Sequence, residues 1–175
     1  ENILLDGDRA VLIDLDAARE TDPAKSRDTH ILGTAGYAPP EQYGFSQTDA
    51  RTDIYALGAS LYMMVTGIKP DEATNRKIND QVVPPAAINP LVSENLNNTI
   101  MRAMAVEPHM RFQTVDDFLA ALSGEKKVIS LEEERKKRKR KRLLGIAAAI
   151  NHLPSFTQDQ TYALAAIYPY ATQLA

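Results

Sequence analysis

Two oxygen-bearing side chains stand near the outer ends of two short apolar runs, Asn2 in Glu1–Leu5 and Asp14 in Ala10–Leu15. An amide oxygen and a carboxylate are hard donors that suit Mg²⁺, which usually takes only one or two protein ligands beside phosphate oxygens and water. Asn and Asp near strand ends are also common turn formers. The pair alone leaves a metal site and a turn both open. A second group of reactive side chains, Thr21, Ser26 and Thr29, lies close to Arg19, Lys25 and Arg27. A phosphate on one of these hydroxyls would add about −1.5 to −2 charge and order the segment through Arg pairing; the alternative is three solvated hydroxyls in a polar loop. Cysteine is absent, which excludes disulfides, thiolate metal sites and cysteine nucleophiles. Three histidines, His30, His109 and His152, are too scattered to suggest a zinc site.

The elements that must position these groups follow from the pattern. Asp6-Gly7-Asp8-Arg9 separates the two apolar runs, and its Asp-Gly pair favours a tight hairpin turn. A hairpin sets its two outer ends side by side, so Asn2 and Asp14 are expected to share one small volume. From Asp16 to Gly36 the chain is polar and aperiodic, a long loop of the kind that is often functional. Pro39–Tyr43 opens a short helix, since proline is tolerated in a first turn. In Asp53–Thr66, Ile54, Leu57, Leu61, Met64 and Val65 recur at helical spacing, and Gly67 and Pro70 stop the element. Tyr55, Ala56, Ala59, Tyr62 and Met63 cover much of its other side, which predicts a helix at the centre of a bundle. Val82–Pro90, with three prolines, reads as loop. Asn95–Ala105 and Thr114–Leu122 read as amphipathic helices, the second with Thr114 as N-cap. The expected fold is mainly α, a short amino-terminal β-hairpin followed by a helical bundle.

Composition supports one folded domain and a distinct tail. The 175 residues are 44% hydrophobic and 25% charged, which excludes wholesale disorder. Residues 1–124 hold 18 acids against 10 bases, a balance of −8, whereas residues 125–175 hold 5 acids against 10 bases, a balance of +5. Eight consecutive bases, Arg135–Arg142, precede the apolar run Leu143–Ile150. Such a run is solvated, binds nucleic acid electrostatically, or sits beside an anionic leaflet at about 1 kcal/mol per base. The following apolar run is eight residues, far short of the about 20 needed to span a bilayer. Aromatic residues do not interleave the bases, so no specific nucleic acid is expected. The expected divisions are 1–122, a charged linker over 123–142, and an apolar segment and tail over 143–175.

Four stretches in order resemble the large lobe of a eukaryotic-type protein kinase, most closely the bacterial Ser/Thr kinases. They are Glu1-Asn2-Ile3-Leu4-Leu5, Ile13-Asp14-Leu15-Asp16, Gly33-Thr34-Ala35-Gly36-Tyr37-Ala38-Pro39-Pro40-Glu41 and Asp53-Ile54-Tyr55-Ala56-Leu57-Gly58, with Arg111 downstream. The resemblance implies that Asn2 and Asp14 hold Mg²⁺ against the phosphates of ATP. It also implies that Leu4 and Ile13 lie against the adenine, though both are equally readable as core, and that Thr34 helps to seat a protein substrate. Glu41 and Arg111 are implied to form a buried ion pair, Asp53 to anchor the catalytic-loop backbone, and Gly58 to permit close helix packing. The implied reaction is transfer of the ATP γ-phosphoryl group to Ser or Thr hydroxyls.

In the family the catalytic-base Asp, the Gly-rich loop and the strand Lys precede the position of Glu1, so this chain alone is expected to be inactive and to need a missing amino-terminal lobe. Asp14-Leu15-Asp16 replaces the family's Asp-Phe-Gly, and the loss of Gly removes backbone freedom there. This leaves a second reading open, a non-catalytic module tethered at a membrane. In either case the resemblance implies a cytoplasmic domain, membrane-anchored in the parent protein.

Overall fold

The computed structural model describes residues 2–13, 33–44 and 48–151, the last five by backbone alone. The chain divides into two compact units, Glu1–Val128 and Ile129–Ala175. Asp14, Thr21, Ser26 and Thr29 lie outside the described residues.

In the first unit, β1 (Ile3–Asp6) pairs antiparallel with β2 (Arg9–Leu12), in the register Ile3 opposite Leu12 and Asp6 opposite Arg9. Gly7 turns the chain with φ 59°, a backbone region open to glycine at little steric cost. A short 3₁₀ turn covers Pro40–Tyr43. Among the described residues of this unit five α-helices follow: α1 (Ala50–Thr66), α2 (Ala73–Ile78), α3 (Pro85–Ile88), α4 (Glu94–Ala103) and α5 (Val115–Leu122). The fold is therefore mostly helical, with a two-stranded hairpin at its start.

Helix α1 is the hub, packing against α3, α4 and α5. Its start is fixed by Asp49, whose carboxylate accepts from Arg51 N at 2.9 Å, while Thr52 Oγ1 accepts from Asp49 N at 3.3 Å. This reciprocal cap begins the helix before Asp53, where the hydrophobic pattern alone put it. At the other end Gly67, at φ 70°, donates its N–H to Met63 O.

Two buried clusters divide over α1. Ile54 joins Ala103, Phe112, Phe118, Ala121 and Val128; Tyr55, Ala59 and Tyr62 join Ala73, Ile100 and Met104. The buried face is thus Ile54, Tyr55, Gly58, Ala59 and Tyr62; of the stripe expected from spacing, Ile54 is in the core and Leu61 and Val65 pack against it from partly buried positions, but Leu57 and Met64 do not. Leu57 is 44% exposed and Met64 75%. Because α1 is apolar nearly all round, periodicity cannot choose its inner face. Small residues do: a Cβ added at Gly58 would lie 2.7 Å from Ala103 Cβ, well inside contact distance.

Val82–Pro90 is not all loop. Pro85 occupies the first turn of α3, where its missing N–H costs nothing. Order also continues past the boundary expected at 122. Asn95 Nδ2 donates to Ala121 O and Asn95 Oδ1 accepts from Val128 N, while Asn98 Nδ2 donates to Val128 O at 2.9 Å. Val128 is 2% exposed, so the first unit closes there.

In the second unit the basic run is helical, within α6 (Leu131–Asn151). Ser130 Oγ accepts from Glu133 N at 3.2 Å, and Glu132, Glu133 and Glu134 fill the first turn, where acids favour the helix dipole. Arg138 Nε donates to Glu134 at 2.8 Å, one turn away. Among the described residues, no helix is long and apolar enough to cross a membrane.

Candidate functional site

The segment Gly33–Tyr43 is the best-fixed part of the candidate site. Thr34 O accepts from Tyr37 N at 2.9 Å and from Ala38 N at 3.0 Å, turning the chain so that Ala38 and Pro39 go inward and Thr34 remains exposed. Gly33 and Gly36 permit this path. A Cβ at Gly33 would collide with Ala38 Cβ, and Gly36, at φ 84°, lies against Pro70 O and the Lys69 side chain. The segment ends on Glu41, 8% exposed.

Glu41 and Arg111, 70 residues apart, meet as a forked ion pair, with Nη1 donating to Oε1 at 2.5 Å and Nη2 to Oε2 at 3.0 Å. Arg111 is fully buried, and its remaining donors reach Ala105 O at 2.8 Å, Arg51 O at 3.1 Å and Val106 O at 3.1 Å. All five guanidinium N–H groups are therefore satisfied, which is what makes a buried cation tolerable. Thr52 Oγ1 donates to Glu41 Oε1 at 3.1 Å, joining the cap of α1 to the same carboxylate. Arg111 also lies over the Tyr55 ring, 4.9 Å from its centroid.

The hairpin end is organised differently. Ile13 N donates to Asn2 O at 2.8 Å, extending the ladder one step beyond β1 and β2. Asn2 is thus opposite Ile13, and Asp14 is the next residue in the chain. Asn2 is exposed, as are Leu4 at 52% and Ile13 at 37%, so neither apolar side chain is in the core of the described residues. Among the described residues no cluster of three His, Cys, Asp or Glu side chains offers a closed metal cage. An open set of one amide and one carboxylate oxygen suits Mg²⁺ only where phosphate and water complete the shell.

Asp53 lies on the first turn of α1. Partial burial, and then the charge of Asp49, push its carboxyl above the usual range. Asp49 shows the opposite shift, held down chiefly by its side-chain hydrogen bonds to Arg51. Tyr43, on the 3₁₀ turn, is raised by burial and by Glu72, and its hydroxyl finds no hydrogen-bond partner among the described residues.

The structure thus brings together Glu41, Arg111 and the start of α1 that carries Asp53, and places Gly58 against α4. It keeps Thr34, Asn2, Leu4 and Ile13 on exposed backbone. Sequence reasoning missed Thr52, Tyr55 and Arg76 as polar parts of this region. Thr52 was legible as the residue three beyond a helix-capping Asp. Arg76 gave only a weak signal, standing three residues after Ala73 in a helix of 6 residues.

The described residues thus hold a hairpin, an inward Glu held by a distant Arg, and a central helix with a packing glycine. The chain matches the protein kinase domain family over residues 1–152 and belongs to it. It is 35% identical over 135 residues to a probable serine/threonine-protein kinase of Clostridium perfringens, covering 73% of this chain and 20% of that protein. To the serine/threonine-protein kinase PknB of Mycobacterium tuberculosis it is 30% identical over 131 residues, covering 69% and 21%. The solved structure of PpkA-294 in its apo form is similar with a TM-score of 0.57 and 32% identity, over 70% of this chain and 43% of that one. The chain spans about one fifth of the length of these curated relatives.

Proposed function

We propose that this chain forms the large-lobe part of a bacterial serine/threonine protein kinase, which transfers the γ-phosphoryl group of ATP to Ser or Thr hydroxyls of protein substrates. The observation that carries the reading furthest is the ladder step from Ile13 N to Asn2 O, because it puts Asn2 opposite the residue preceding Asp14. Asn2 and Asp14 would hold Mg²⁺, which neutralises and orients the nucleotide phosphates when bound. Leu4 and Ile13, exposed on the same hairpin, would meet the adenine. Thr34 would seat the substrate from a segment whose far end is tied down by Glu41. The hydroxyl proton would pass to a base contributed from outside these residues, together with the amino-terminal lobe.

Helix α6 would act as a juxtamembrane element of a cytoplasmic domain. Its eight bases, Arg135–Arg142, would face an anionic leaflet, and Leu143–Ile150 would follow toward the bilayer. Phosphates on Thr21, Ser26 or Thr29 would order the segment between Asp14 and Gly33.

The test is phosphotransfer by this chain joined to its native upstream sequence. Asn2→Ala and Asp14→Ala are each expected to lower the rate about 100-fold or more, the scale for removing one preorganised electrostatic group. An unaltered protein that captures protein partners yet transfers no phosphate would replace this reading with the non-catalytic module.

A further inference from the structure

Helix α2 forms one wall of the segment proposed to seat the substrate. Its 6 residues pack against the Pro40–Tyr43 turn, and the Lys69–Pro70 stretch just before it abuts Gly36. The segment Gly36–Tyr43 therefore touches the 69–76 stretch near both of its ends. Thr34 joins that segment through its carbonyl, which accepts from Tyr37 N and Ala38 N, so the wall's position relative to α1 bears on it.

A short polar helix has little apolar surface with which to hold such a position. Ala73 enters the Tyr55–Ala59–Tyr62 cluster, but the other inward side chain is Arg76, 2% exposed. Arg76 Nη1 donates to the Tyr55 hydroxyl at 2.9 Å, and its Nε and Nη2 donate to Asp80 at 2.9 and 3.2 Å. The Arg76 guanidinium lies 5.8 Å from the centre of the Tyr55 ring, and the Arg111 guanidinium lies 4.9 Å from it. Tyr55 thus bears on two buried cations. One fixes α2, and the other holds Glu41 at the end of the same segment. A phenylalanine would keep the ring stack but leave a buried Arg donor unpaired, and the cost of that orphan exceeds the net worth of the bond.

We propose that Tyr55 and Arg76 are positioning residues for substrate binding, a buttress through which α2 and the Glu41–Arg111 pair hold the Gly36–Tyr43 segment in one register with α1. The proposal rests on the kinase reading above for the identity of the ligand, a Ser/Thr-containing peptide, but not for the coupling itself.

The experiment uses this chain joined to its native upstream sequence, with two readouts. In peptide phosphorylation, Tyr55→Phe and Arg76→Lys are each expected to raise KM for peptide about 3- to 10-fold, with kcat and KM for ATP changed less than twofold. In amide hydrogen exchange, Gly36–Tyr43 are expected to exchange about tenfold faster in both variants, with α4 and α5 unchanged. The double variant Tyr55→Phe with Arg76→Met, which removes both ends of the buttress, is expected to show both effects at least as strongly as either single variant, and recovery toward the unaltered protein overturns the proposal. An unchanged peptide KM in an active protein overturns the proposal. So does a kcat that falls while both KM values hold, which marks loss of folded protein. If the unaltered protein transfers no phosphate, the kinase reading fails, and faster exchange confined to Gly36–Tyr43 still supports the buttress while uniform exchange overturns it.

Discussion

Two regions carry the candidate functional residues, and they are held by opposite means. Around Glu41 and Arg111, every guanidinium donor has an acceptor, the pair is buried, and the surrounding shell comes from the Pro40–Tyr43 turn, α1 and the Ala105–Val106 backbone. In the hairpin, the backbone ladder is complete but the side chains are not covered: Leu5 is 76% exposed and Leu12 62%. The first region encodes its own rigidity. A two-stranded hairpin with an open apolar face is marginally stable in water, so the placement of Asn2 depends on whatever covers that face. The residues proposed to seat substrate and those proposed to hold Mg²⁺ thus have separate structural supports.

The sharpest way to break this contrast is to cut each region once. Arg111→Ala leaves the Glu41 carboxylate buried without its partner and is expected to cost about 3–5 kcal/mol, measured by urea unfolding. Leu5→Ala is expected to stay within about 0.5 kcal/mol, as surface substitutions usually do. Similar costs at both positions would mean that the hairpin is packed as firmly as the anchor.

A smaller effect sharpens the account of the central helix. Gly58→Ala gains about 1 kcal/mol in helix propensity, yet its new methyl would stand 2.7 Å from Ala103 Cβ and 3.2 Å from Met104 Cγ. Overpacking typically costs about 1–3 kcal/mol, so a net loss of about 1 kcal/mol is expected, relieved by adding Ala103→Gly. A gain in stability would show that α1 and α4 can part without cost.

What the sequence displayed was local chemistry. The turn at Gly7, the cap at Thr114 and the stop at Gly67 each depend on one residue's conformational or hydrogen-bonding preference, and each is visible in a short window. The inner face of α1 was not visible. Leu57 and Met64 fit the helical period as well as Ile54 does, and what decides is the shape of the partner at Ala103. Helices α2 and α3 escaped for lack of length: 6 and 4 residues give too few turns for a period to emerge. The pairing of Glu41 with Arg111 spans 70 residues and no local rule predicts it; only likeness to a family pointed there. Arg76 had no such guide, because a basic residue in a polar stretch reads as surface until Tyr55 is seen beside it.

The smallest effect separates two acids four residues apart at the start of α1. Hydrogen bonds to Arg51 lower the pKa of Asp49, so the native state prefers its charged form. Its contribution is present above the unfolded carboxylate value of about 3.9 and is lost as pH falls through the lowered native value. Asp53 is shifted the other way, by partial burial and by Asp49. The native state there prefers the proton, so stability declines as pH rises from the unfolded value through the raised native one. Asp49→Asn keeps an N-cap acceptor but loses the charge, and is expected to cost a few tenths of a kcal/mol at pH 7, in the range of exposed ion pairs, and less at pH 2. Asp53→Asn is expected to stabilise the fold slightly at pH 7 and to have no effect at pH 2. With Asp49→Asn in place, one source of the Asp53 shift is gone, so the gain from Asp53→Asn should shrink. Urea midpoints of the four proteins at the two pH values measure this coupling, and strictly additive effects at pH 7 would show that the two carboxylates do not sense each other.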